Sequence, residues 1–87
     1  MKPQNGVKTR YTIKESYRQQ AFVGVFNKDP ATYSWTWKGR IDFQDGPYSE
    51  FNSERNFPTS SEAEDHMRQF AHQRIDHWLY ISRPNSI

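Results

Sequence analysis

From residue 33 to residue 43 the chain alternates: Tyr33, Trp35, Trp37, Ile41 and Phe43 hold odd positions, and Ser34, Thr36, Lys38, Arg40 and Asp42 hold even ones. Successive side chains of a strand point to opposite faces, so this pattern predicts a strand with one buried and one wet face. Gly39 falls on the apolar side, marking either a bulge or the close approach of a covering helix. A sheet with one aromatic face needs a covering layer, and the rest of the chain has to supply it.

The cover is written after Pro58. The residues before position 57 favour strands, whereas Glu, Ala, Met, Gln and Arg become common afterwards and favour helix. Ser61 with Glu64 has capping-box spacing, and Thr59 with Glu62 offers a second register. Ala63, Met67, Phe70, Ala71, Ile75 and Trp78 then recur at three- and four-residue intervals, predicting an amphipathic helix of about five turns. Arg74 lies within that stripe, where its stem snorkels or its head meets a strand acid.

Upstream, Tyr11, Ile13 and Tyr17 alternate with Arg10, Thr12, Lys14 and Ser16, with Glu15 interrupting the apolar side. The next run, Ala21 to Phe26, is apolar at successive positions, as in a central strand covered on both faces. Arg18-Gln19 between them lacks Gly or Pro, so a hairpin and one long bent strand from Thr9 to Phe26 both stay open. Asn27 to Thr32 reads as a loop and Gln44-Asp45-Gly46-Pro47 as a turn. Tyr48 to Phe57 reads as an edge strand, with Phe51 and Phe57 inward and Glu50, Asn52 and Glu54 outward. The expected architecture is α+β, a three- to four-stranded antiparallel β-meander with one C-terminal amphipathic helix packed on one face.

At 87 residues the chain makes a single domain, 1–87, with 1–7 and 82–87 as loose termini. A fold of this size buries only about 60% of the surface its unfolded chain exposes, which leaves little room for a deep catalytic cleft. The 14 aromatic residues supply most of the apolar material, each burying about 150–250 Å². Cysteine is absent, which removes disulfides, thiolate metal sites and a cysteine nucleophile. No apolar run approaches the roughly 20 residues that span a bilayer, and Met1-Lys2-Pro3-Gln4-Asn5 leads into no signal segment. The expectation is a soluble, cytoplasmic protein.

Charge divides along the chain. Residues 1–40 hold eight bases and two acids, whereas residues 41–87 hold four bases and eight acids. Arg10, Lys14, Lys38 and Arg40 fall on the wet side of their strands, joined there by either Phe22 and Phe26 or Ala21, Val23 and Val25 from the second strand. Such a surface suits a protein partner, bound through Phe22, Phe26, Lys38, Arg40 and their neighbours, or single-stranded nucleic acid, bound through Arg10, Lys14, Lys38 and Arg40 with Phe22 and Phe26. Glu50, Glu54, Glu62 and Asp65 form a separate acidic region suited to a basic partner. His66, His72 and His77 lie on the helix at spacings of six and five, which lack the i, i+4 pairing of a helical metal site. They read as partner contacts or ordinary surface. No phosphate loop, nucleophile elbow or carboxylate pair is present, so neither an enzyme nor a cofactor is expected.

In size, and in carrying a strand meander followed by one helix introduced by Phe57-Pro58-Thr59-Ser60-Ser61-Glu62, the chain resembles small phage- and plasmid-encoded inhibitor proteins, including anti-CRISPR proteins. That resemblance implies a stoichiometric inhibitor that binds a larger protein or ribonucleoprotein complex and blocks it by occupancy. It assigns no residue. Two other readings stand beside it: a single-stranded nucleic-acid binder using the basic and aromatic sheet face, and a homodimer that buries the second strand's spare face.

Overall fold

The computed structural model describes residues 9–44 and 46–82. Four strands, β1 (Arg10–Tyr17), β2 (Gln20–Lys28), β3 (Trp35–Asp42) and β4 (Tyr48–Asn52), precede one helix, α1 (Ser60–Ser82). The strands form an antiparallel meander in the order β1-β2-β3-β4, and α1 rests on β2 and β3. The α+β architecture is therefore the one expected, with four strands. The expected loose segments 1–7 and 83–87 lie outside the described residues. Ser82, expected in the tail, is instead the last residue of α1. At 23 residues the helix makes about six turns, one more than its apolar stripe indicates. Among the described residues no helix is long and apolar enough to cross a membrane.

The first two strands form a hairpin closed by a two-residue turn, with Tyr17 paired to Gln20. Arg18 and Gln19 both take positive φ, 51° and 69°, the conformation that a tight hairpin demands and that Asn-Gly supplies at least cost. Nearby contacts hold the turn. The Gln20 amide donates to Arg18 O at 3.2 Å, and the Arg18 guanidinium reaches Asp76 of α1 at 2.8 Å. Relief of the left-handed conformation outweighs the extra entropy glycine gives the unfolded chain. Gln19→Gly is therefore expected to raise the stability measured by urea unfolding by about 0.5–1 kcal/mol.

This turn fixes which side of β2 faces the helix. Register pairs Tyr11 with Phe26, Ile13 with Gly24 and Glu15 with Phe22, so the even residues of β2 share the inner face with the odd residues of β1. Phe22 and Phe26 are buried in the core with Trp35, Trp37, Ile41, Phe43, Phe57, Ala63, Met67, Ala71 and Ile75. Gly24 and Gly39 are cross-strand partners at the centre of this face. A Cβ on Gly24 would lie 2.8 Å from Met67 Cε, and one on Gly39 would lie 2.7 Å from Phe51 Cε2. Gly24 thus seats the helix through Met67, and Gly39 admits the Phe51 ring. At Gly39 itself the register runs unbroken, and the close neighbour is the Phe51 ring, neither a bulge nor a helix residue.

Three details depart from the sequence pattern. Tyr33 does not continue the inner row of β3: it is 67% exposed with φ 61°, in a loop closed by Tyr33 N to Asp29 O and Asp29 N to Ser34 O. The fourth strand ends at Asn52, because Ser53 bonds Trp37 through backbone and hydroxyl while Phe57 bridges back to Trp35. Glu54, Arg55 and Asn56 consequently stand opposite Thr36 alone, in a bulge with Glu54 at φ 63°. The bulge adds an even number of residues, so Phe57 still points inward. Finally, Thr59 caps the helix, its hydroxyl accepting from Glu62 N at 3.1 Å. The register with Ser61 is not used, since Glu64 is drawn to Tyr11 and Arg68. Arg74 is exposed with its guanidinium 5.1 Å above the Phe70 ring, the snorkelling outcome.

Candidate functional site

With α1 on one face, no element among the described residues covers the other face of the sheet. Strand register lays it out in rows: Lys14, Val23, Arg40 and Glu50 form one, with Thr12, Val25, Lys38 and Asn52 beside it. Ser16, Ala21, Asp42 and Tyr48 form the next row on the other side of the first. Val23 and Val25 are half-exposed at the centre. They floor a shallow groove of about 560 Å³ walled by Lys38, Arg40, Glu50 and Asn52.

Charge on this face is graded. Arg10 and Lys14 on β1 are exposed, and neither forms an ion pair among the described residues. Lys38 at the centre is likewise exposed and free of ion pairs among the described residues. Arg40 is held: its Nε donates to Asp42 at 2.9 Å, which raises the guanidinium pKa further, and its plane lies 4.5 Å from the Tyr48 ring centroid. The basic character therefore peaks at β1 and falls toward β4, where Glu50 stands.

Of the residues expected to contact a partner, Arg10, Lys14, Lys38, Arg40 and Glu50 are gathered on this one face. Phe22 and Phe26 are not. They are 2% and 0% exposed, because the hairpin turn sends them to the helix side, and Val23 and Val25 take their place. The acidic region also separates. Glu54 sits in the bulge, while Glu62 and Asp65 belong to the helix layer on the far side of the sheet from Glu50. Asp65 lies 3.9 Å from Arg68. Tyr48, 58% exposed on the open face, escaped the sequence reading. Its position three residues before the inward Phe51 carries the signal, since an odd offset along a strand reverses the face.

A second polar cluster bridges α1 to β1. The Tyr11 hydroxyl donates to Glu64, and Arg68 clamps Glu15 with bonds of 2.8, 3.0 and 3.1 Å. Further along, His72 stacks on Tyr17 with centroids 3.9 Å apart, and the Tyr17 hydroxyl donates to Asp76 at 3.2 Å. These contacts account for Glu15, the acid that breaks the apolar side of β1: the helix answers it with an arginine. The histidines likewise differ from expectation. His66 accepts from the Trp37 indole at 3.2 Å and packs against Phe57, and His72 stacks as described, so two of the three seal the core's margin. Among the described residues no group of three metal-ligating side chains converges.

This cluster makes stability depend on pH with a definite sign. Hydrogen bonding from Arg68 holds Glu15 below its ordinary 4.5, and the Arg18 bond holds Asp76 below 3.8. Burial, with the charge of Arg55 second, holds His66 below 6.5. In each case the unfolded chain takes up the proton first as pH falls, so folding loses free energy on acidification. Stability is expected to decline below pH 6.5 as His66 contributes, and more steeply below 4.5. Arg68→Gln is expected to cost about 1–2 kcal/mol at pH 7, a figure reduced by partial solvent exposure, and to flatten the segment below 4.5. Urea titrations across pH 3–8 measure both.

No protein-family model matches the sequence, and no curated protein or solved structure is significantly similar to it.

Proposed function

We propose that this chain is a non-catalytic protein-binding module that docks a larger protein or ribonucleoprotein on its open sheet face. The observation that supports the reading is the placement of Val23 and Val25 at the centre of a solvent-facing sheet, framed by Lys14, Lys38 and Arg40. Apolar residues ringed by charged groups are the composition of a contact patch, where the centre excludes water and the rim sets orientation. Single-stranded nucleic acid is served less well. Stacking of bases needs free aromatic faces, and Tyr48, the aromatic residue on this face among the described residues, already has the Arg40 guanidinium against its ring.

In its finer form the reading is a stoichiometric inhibitor of the phage- and plasmid-encoded kind that includes anti-CRISPR proteins, blocking a nucleic-acid-processing complex by occupancy. Expression of the tagged chain in its native host, with purification before and after nuclease treatment, tests it. A stoichiometric protein that survives nuclease supports the docking reading, and membership of that protein in a nucleic-acid-processing complex supports the inhibitor form. Recovery of nucleic acid alone, lost at moderate salt, overturns both in favour of phosphate-driven binding. A sedimentation mass that doubles with concentration and no other protein recovered points instead to a homodimer across the same face.

A further inference from the structure

Among the described residues the outer edge of β1 pairs with no strand, and it is arranged to accept one. Lys28 N donates to Thr9 O at 2.8 Å, and the two-residue turn closes on the Tyr17–Gln20 pair. Both facts assign the bonds toward β2 to the odd residues of this strand. The backbone N–H and C=O groups of Arg10, Thr12, Lys14 and Ser16 therefore point outward from the sheet, and all four residues are exposed. The strand runs eight residues in unbroken register, with no proline to interrupt it. Inward-facing charge is a common deterrent at such an edge, but Glu15 is occupied by Arg68 on the helix side. The opposite edge is blunted: β4 has five residues and runs into the bulge at Glu54.

We infer that β1 receives an extended acidic segment of the partner protein as a fifth strand, an inference that rests on the protein-binding reading and specifies its mode. Main-chain bonds along the edge would supply affinity, and side chains on alternate positions would supply choice. On the open face those side chains stand directly opposite Arg10 and Lys14, at the cross-strand spacing where opposite charges attract and like charges repel. On the other face they cover Ile13, which is only half-buried and suits an apolar neighbour. Alternating acidic and apolar residues fit both faces. A second copy fits less well: its β1 brings bases against bases, and its β4, which carries Glu50, offers five residues for eight.

The test uses the full chain, labelled with ¹⁵N, and an acetylated, amidated nonapeptide of alternating glutamate and valine, with a lysine–valine peptide as control. Binding is expected to shift and protect the amides of Arg10, Thr12, Lys14 and Ser16, with the lysine peptide at least tenfold weaker. Thr12→Pro removes one outward N–H that the sheet does not use and is expected to weaken binding at least tenfold. Should that variant not fold, the Arg10→Glu, Lys14→Glu double variant decides, since strand addition requires it to prefer the lysine peptide. Absence of binding overturns the inference. Shifts confined to Val23, Val25 and Lys38 would also overturn it while leaving docking on the open face intact, and β1 amides protected in the chain alone at high concentration would assign the edge to a second copy.

Discussion

Trp37→Ala is expected to remove about 3–5 kcal/mol of stability, the range for deleting a buried large aromatic. Trp37 is 1% exposed, packs edge-on against Phe51 and Phe70, and donates its indole N–H to His66 Nδ1 at 3.2 Å. A domain of this length has roughly 4–13 kcal/mol in total. The variant is therefore expected to lose between about a quarter and all of its stability, read as a large drop in the urea midpoint of the near-ultraviolet dichroism. Trp37→Phe keeps the ring packing but leaves His66 without its donor, and is expected to cost about 1–3 kcal/mol. A change under about 1 kcal/mol for the alanine variant would contradict the placement of α1 over β3.

The second large effect is on binding and leaves the fold alone. Val25 and Lys38 are cross-strand partners on the open face, so Val25→Thr with Lys38→Glu removes the apolar centre and reverses an adjacent charge together. Threonine keeps the β-branch that the strand prefers, and the melting midpoint is expected to move by no more than about 0.5 kcal/mol equivalent. Affinity for the docked protein is expected to fall at least tenfold, as for truncation of a central contact residue at about 1.4 kcal/mol or more. Trp37→Ala and this pair thus separate the two faces of one sheet, the first by stability and the second by binding.

Much of this arrangement is legible in the chain, and the illegible parts have physical causes. The inward row Trp35, Trp37, Ile41 and Phe43 follows from period two, and the helix stripe from its three- and four-residue intervals. The face of β2 does not follow, because apolar residues at successive positions carry no parity of their own. It is set by the turn before it, where Arg18 and Gln19 adopt the left-handed conformation without the Asn or Gly that normally announces it. Assigning Phe22 and Phe26 to a partner surface is the direct cost of missing that turn. The cap was legible as one of two registers, Thr59 with Glu62, but the long-range polar contacts were not: Glu64 has capping-box spacing from Ser61, yet Tyr11 and Arg68, 53 and four positions away, claim it instead. The acidic residues near one another in sequence separate in space because the chain leaves the sheet only after Phe57 has bridged back to Trp35, crossing through Pro58 and Thr59 to the helix layer.

Methyl-labelled valine and methionine resonances, recorded as the co-purified protein is added, test the open-face docking most directly. Val23 and Val25 point to that face, whereas Met67 is a helix residue buried against the opposite face of the sheet. The expected result is that the Val23 and Val25 methyl signals shift and gain contacts from the added protein while Met67 stays in place. Unchanged Val23 and Val25 signals in a complex that has demonstrably formed would contradict docking on this face.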